Sequence, residues 1–181
     1  KADVKHVVLP EGEEERTIPA AEIITKDAIA KLTLLGNPEA IKAKAETLGV
    51  CLSGVDVVNP AASPDFGRYA NEFYEMRKAK GMTPEKAEAT MKDTMFFGAM
   101  MLYDDKVDGM VAGAICTTAA TLRPGLQIIK MAPGMNTVSS CFIMELPNKA
   151  YGDDGVMIFA DCAVNIVPTA EQLASIAVAS A

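Results

Sequence analysis

The stretch Gly109-Met-Val-Ala-Gly-Ala-Ile-Cys-Thr-Thr-Ala-Ala-Thr-Leu-Arg-Pro124 decides how the rest of the chain is read. A small apolar run closes on glycine, and three hydroxyls (Thr117, Thr118, Thr121) and Arg123 then arrive within seven residues. Pro124 and the apolar-periodic Leu126-Gln-Ile-Ile-Lys130 follow at once. This is the order of a buried strand, a tight turn and a helix start. A helix N-terminus offers unpaired N–H groups and a partial positive charge. Hydroxyls add donors, and arginine adds a forked, permanent cation. Two readings stay open from these residues alone: a site for phosphate or another oxyanion, or an ordinary junction with capping threonines.

Working outward, apolar runs and helical periodicities alternate. His6-Val-Val-Leu-Pro10 reads as a short buried strand. The next segment carries Glu11 and Glu13–Glu15 in its first turn, with Ile18, Ala21, Ile24 and Ala28 at helical spacing. Ala30–Leu35 is a second strand closed by Gly36, and Pro38 opens a helix running to about Leu48. Val55–Asn59 is a third strand stopped by Pro60. A helix over roughly Gly67–Lys80 ends at Gly81. Another, with Thr83 as N-cap and Pro84 behind it, runs to about Tyr103, placing Met91, Met95, Phe96 and Met100 in the core or against a neighbouring element. Val107–Ala114 is the fourth strand. The pattern predicts an α/β fold with a parallel, helix-covered, three-layer sheet. Ligands in such sheets bind outside the carboxyl ends of strands, where Asn59-Pro60 and Thr117–Arg123 both fall.

A first α/β domain is expected over residues 1–134, and the start of a second over 135–181. The second holds strands at Thr137–Met144 and Val156–Ala160, then a helix from about Thr169 with Glu171 in its first turn. Two strands and a helix bury too little to stand alone. The chain also begins almost directly in a strand, so the expectation is a fragment of a longer protein, cut at both ends.

Composition narrows the function classes. A net charge of −7 argues against general nucleic-acid binding, which needs a basic surface. No apolar run approaches the roughly 20 residues a bilayer-crossing helix needs. The four cysteines (Cys51, Cys116, Cys141, Cys162) form no CxxC pair, and are expected as buried thiols of a cytoplasmic protein rather than a disulfide frame or zinc site. His6 is the only histidine, so mechanisms built on a histidine base would rest on that one strand-end residue.

Several stretches together resemble one family. Leu9-Pro-Glu-Gly-Glu13, Tyr74-Glu-Met-Arg-Lys-Ala-Lys-Gly81, Asp108-Gly-Met-Val-Ala-Gly113, Thr117-Thr118, Leu122-Arg-Pro124, Ser139-Ser-Cys-Phe-Ile-Met144 and Ala160-Asp-Cys-Ala-Val-Asn165 are similar, in order, to signatures of the phosphate acetyltransferase family. The resemblance runs from about Lys5 to the end. It implies a two-domain homodimeric acyltransferase with its site in the cleft between domains. The reaction would pass the acetyl group of acetyl-CoA reversibly to inorganic phosphate, giving acetyl phosphate and CoA, with CoA as substrate and no separate cofactor or metal.

Carried onto this chain, the resemblance makes Arg123 the arginine of the phosphate and acetyl region, and the catalytic residue. Arg77 becomes the arginine linked to CoA, at its ribose 3′-phosphate. Thr117 and Thr118 become hydroxyl donors of the phosphate loop, and Asp161 and Asn165 members of a motif facing the cleft. The family's serine, arginine and aspartate of the C-terminal segment have no counterpart here. Ala120 stands where aspartate is common, and Ile166 where proline is usual. A phosphate butyryltransferase, and the acetyl-CoA-sensing domain fused to malic enzymes, share these motifs and stay open. Taken without the resemblance, Arg77 reads as a solvated or salt-bridged surface arginine in a mixed-charge helix. Cys116, among small apolar neighbours, reads as a suppressed thiol rather than an acyl carrier.

Overall fold

Four short apolar runs build one parallel sheet in the order β3-β2-β1-β4 in the computed structural model, which describes residues 3–181. Strands β1 (His6–Leu9), β2 (Lys31–Leu35), β3 (Val55–Val58) and β4 (Gly109–Met110) alternate with helices α1 (Thr17–Lys26), α2 (Pro38–Leu48), α3 (Phe66–Arg77), α4 (Pro84–Met91) and α5 (Thr94–Tyr103). The register pairs Val8 with Thr33 and Leu9 with Leu34. Because side chains alternate along a strand, one face carries Leu9, Leu32 and Leu34, which pack with Ala21 of α1 and Ile41 of α2. The other face presents Val8 and Leu35 to Phe73 of α3, Met91 of α4, and Phe97 and Met100 of α5. Helices thus cover both faces, as the alternating pattern implies.

Local chemistry sets the boundaries. Asn37 Oδ1 accepts the Glu39 N–H at 2.9 Å, Pro38 occupies the first helical position, and Gly49 closes α2 in the left-handed conformation at φ 67°. Thr83 Oγ1 caps α4 through the Lys86 N–H. The single helix expected from Pro84 to Tyr103 is two. Asp93 Oδ1 accepts the N–H groups of Met95 at 2.8 Å and Phe96 at 3.4 Å, starting α5 afresh. A side-chain cap in mid-pattern competes with the helical ladder, and apolar periodicity does not register it. Helix α5 buries Met95, Phe97, Gly98, Ala99 and Met100. A Cβ on Gly98 would lie 3.1 Å from Met110 Sδ, so the glycine lets the helix sit close to the sheet.

The chain divides into two compact units, one ending at Lys130 and one covering Met131–Ala181. In the second, β5 (Cys141–Glu145) and β6 (Val156–Ala160) form an antiparallel hairpin. Helix α7 (Ala170–Ser180) opens with a reciprocal capping box between Thr169 and Gln172. Its Ile176 is buried, whereas Phe142, Ile143 and Phe159 of the hairpin are at least half exposed. The cysteines depart from expectation. Cys51, Cys141 and Cys162 are exposed and Cys116 is half-buried. Cys51 lies on a loop, and Cys141 on a strand exposed throughout, so apolar neighbours in sequence did not translate into burial. His6 is structural. Its Nε2 lies 2.8 Å from Thr33 Oγ1 across the β1–β2 pair, and its backbone N–H donates to Asp108 at 2.7 Å.

Candidate functional site

The segment after β4 is shaped by a residue from the other end of the unit. Glu11, just past β1, is buried, and its carboxylate accepts four consecutive backbone N–H groups. Oε2 takes Gly113 and Ala114, both at 2.7 Å; Oε1 takes Ile115 at 2.8 Å and Cys116 at 2.7 Å. Arg16 reinforces the loop by donating Nη2–H to the Ala114 carbonyl at 2.6 Å.

Two sequence expectations change as a result. Glu11 does not sit in the first turn of a helix, because α1 begins only at Thr17, where Glu14 accepts the Thr17 N–H at 3.0 Å. The fourth strand does not reach Ala114. The ladder ends at Val111, whose N–H reaches Val8 O at 3.1 Å; Gly113 then turns at φ +109°, and the next N–H groups point at the carboxylate. A buried carboxylate needs this many donors, since unpaired it would be costly.

Burial pushes the Glu11 carboxyl up, but the N–H groups of Ile115, Ala114 and Cys116 outweigh it and hold the pKa at about 2. The same pair acts in reverse on Cys116, whose thiol is raised by burial and then by Glu11. That opposes thiolate chemistry there. Because the folded pKa of Glu11 lies below its ordinary 4.5, its ionised form stabilises the fold above that value. The contribution drains away as pH falls from 4.5 toward about 2. The stability advantage of the natural protein over a Glu11→Gln variant should therefore shrink across that window in acid-unfolding curves. A constant advantage would contradict the geometry.

Helix α6 (Thr118–Pro124) begins directly after this loop. Thr117 is its N-cap, accepting the Ala120 N–H on Oγ1 at 3.2 Å, and Thr121 Oγ1 donates to Thr117 O at 3.2 Å. The Ala120 N–H is thus satisfied by the Thr117 cap. Past Pro124 the helix widens into a π turn, Gly125–Ile129, in which Lys130 N–H donates to Gly125 O at 2.9 Å. Ile128 anchors this turn in the same core as Phe73 and Phe97. Thr117, Thr118 and Arg123 are exposed, and none of the ion pairs among the described residues uses Arg123. The loop N–H groups are taken by Glu11, so the donors left for an incoming anion are the threonine hydroxyls, the first turn of α6 and the Arg123 fork.

Arg77 lies at the end of α3, half-buried, with its Nε enclosed and without a hydrogen-bond partner. It borders a cleft of about 460 Å³ lined also by Lys80, Met82, Lys86 and Thr90. Three cations around one opening suit a phosphate group. The opening at the ends of β1 and β2, about 480 Å³, is lined by Glu11, Glu13, Glu14 and Glu15 beside Lys44, and repels one.

Asp161 and Asn165 fall in the second unit, in one local network. Asp161 Oδ1 accepts Ser140 Oγ–H at 2.5 Å and the backbone N–H groups of Ser140 and Ala163, both at 3.1 Å. Oδ2 accepts the backbone N–H of Asn165 at 2.7 Å and its Nδ2 at 2.6 Å. Asn165 Nδ2 also reaches the Val138 carbonyl at 2.8 Å. The Ser140 hydroxyl leads the groups that hold the Asp161 carboxyl well below the usual carboxylate range. Both side chains brace the 161–165 loop against the start of β5, and the Asn165 side-chain oxygen is left as an acceptor. Ile166, directly after this loop, is almost fully exposed.

The pattern that defines the phosphate acetyl/butaryl transferases matches residues 1–181. The chain belongs to this family. It is 53% identical over 181 residues to a phosphate acetyltransferase of Thermoanaerobacterium thermosaccharolyticum, covering all of this chain and 55% of that protein. A phosphate acetyltransferase of Clostridium acetobutylicum is 48% identical over the same length, with 54% of it covered. Among solved structures, a phosphotransacetylase from Streptococcus pyogenes aligns with a TM-score of 0.86 at 38% identity, covering 97% of this chain and 52% of that one. The chain thus spans about half the length of these phosphate acetyl/butaryl transferases. Sequence reasoning missed the role of Glu11 in this loop, because the link is a contact across 102 to 105 positions. The only local signal was a glutamate directly after a strand.

Proposed function

We propose that the protein containing this chain is a phosphate acetyltransferase, moving the acetyl group of acetyl-CoA reversibly to inorganic phosphate. Family membership and relatives named for this activity support the reading. The observation that carries it is Arg123, an exposed guanidinium outside the ion pairs of the described residues, on a helix opened by two threonines.

A phosphate oxygen attacks the thioester carbonyl carbon, the carbonyl oxygen takes up negative charge, and collapse expels CoA as thiolate, which acquires a proton. In reverse the thiolate attacks acetyl phosphate. Arg123, with Thr117 and Thr118, gathers the phosphate and stabilises the developing oxyanion. No oxidation state changes, so the proposal enlists no cofactor beyond CoA as substrate. Asp161 and Asn165 are assigned to the substrate-binding surface through the loop they brace. A homodimer and a cytoplasmic place of action belong to the same proposal. None of the described helices is long and apolar enough to cross a membrane.

Following the thioester absorbance of the full-length protein with acetyl-CoA and phosphate tests the reading. Preference for butyryl-CoA would make it a phosphate butyryltransferase, and inactivity toward both would favour an acetyl-CoA-sensing role. Arg77 carries its own expectation. A charge-assisted hydrogen bond contributes about 1.5–3 kcal/mol, so Arg77→Ala should raise the KM for CoA roughly tenfold to a hundredfold. The penalty should vanish with CoA lacking its 3′-phosphate. Equal penalties for both forms would move Arg77 away from that group.

A further inference from the structure

We propose that Glu11 is a positioning residue for this acyl transfer: a built-in anion that fills the backbone cradle of residues 113–116 and so sets where the Arg123 helix begins. The proposal rests on the phosphate-site reading of Arg123. Four successive N–H groups converge on one carboxylate at 2.7–2.8 Å, two to each oxygen. The next residue, Thr117, is the N-cap of α6, so no slack separates the anchored loop from the helix. Glu11 itself lies one residue past β1, after Pro10, and Gly12 ties that turn to the sheet by donating its N–H to Leu35 O at 3.1 Å. The rigid sheet thereby dictates the register of a helix whose arginine must meet its substrate to within about 1 Å, an error that costs up to about a hundredfold in rate.

The same carboxylate has a second effect. A run of convergent backbone N–H groups is an anion-binding concavity, and phosphate would compete for it. Glu11 occupies every one of these donors, which leaves phosphate to the side chains of α6. Loss of the carboxylate should therefore cost more at the phosphate side than at the CoA side, because Arg77 is carried by α3, apart from this loop.

The test is kinetic, on full-length protein with Glu11→Ala, with and without formate, a carboxylate small enough to enter the emptied cradle. The expected result is a fall in kcat/KM for phosphate or acetyl phosphate of at least about tenfold, with the KM for CoA within about twofold of the natural value. Formate should recover activity saturably in the variant alone. Amide exchange in peptides covering residues 113–116 should accelerate in the variant and slow again with formate. Glu11→Gln, which keeps the side-chain volume but turns an NH₂ toward two donors, should lose phosphate-side efficiency without responding to formate. It carries the test if the alanine variant does not fold.

Natural kinetics and exchange in either variant would overturn the proposal. So would a loss that weakens both substrates alike and ignores formate, the signature of general packing. A natural protein inactive toward acetyl-CoA and butyryl-CoA overturns the enzymatic reading instead. The exchange pattern, with or without formate recovery, then decides the anchoring by itself.

Discussion

Replacing Arg123 with alanine in the full-length protein should lower turnover at least about a hundredfold while leaving the fold intact. Removing one preorganised donor to a developing oxyanion costs roughly 2.7–4 kcal/mol of barrier, and Arg123 also gathers the phosphate charge. The fold should tolerate the change because the side chain is exposed and outside the ion pairs of the described residues, and α6 keeps its Thr117 cap and its Ile128 anchor. Lysine at the same position keeps the charge but loses the planar fork, so Arg123→Lys should fall between the natural and alanine forms. Phosphorolysis or arsenolysis of acetyl-CoA, read at the thioester band beside a circular dichroism spectrum, separates the outcomes. An alanine variant with natural turnover would place the reacting centre elsewhere in the protein.

Phe73→Ala should be the most damaging change to the first unit's stability. Phe73 is fully buried in the cluster joining α3, α4, α5 and the π turn, and meets Phe96 edge-on with ring centroids 5.6 Å apart. Truncating a buried phenylalanine costs about 3–5 kcal/mol through lost transfer energy and a residual cavity. Phe73→Leu, closer in volume, should cost markedly less. Denaturant unfolding followed through far-ultraviolet circular dichroism measures the difference, and a cost below about 1 kcal/mol would mean the site collapses around the gap. Because Ile128 shares this cluster, the alanine variant should also loosen the segment after Arg123 and reduce activity beyond what stability explains.

Much of the fold was legible in the chain itself. The strand at Val156–Ala160 and the helix from Pro38 to Leu48 lie where apolar runs, Pro38 and Gly49 place them. Parallel topology followed from strand–helix alternation, which needs crossovers long enough for helices. Two of the errors share one cause. Asp93 interrupted a helix that looked continuous, and β4 shrank to two residues. In both cases a side-chain acceptor outcompeted the regular backbone ladder, and hydrophobic patterning does not weigh such competition. Of the candidate site, the threonines and Arg123 were legible because their spacing after an apolar run is local. The unpartnered Nε of Arg77 and its basic cleft were not, since Lys86 comes from α4, beyond the turn at Gly81.

The sequence by itself determined the order of elements, the apolar faces and the clustering of hydroxyls and an arginine after the fourth strand. These depend on neighbours a few positions away, through helical and strand periodicity and turn chemistry. Only the tertiary structure decided that the backbone donors of that cluster already hold an anion. A glutamate about a hundred positions earlier reaches them because β1 and β4 lie side by side in the sheet. Burial then makes four hydrogen bonds to one carboxylate more favourable than leaving either partner unpaired.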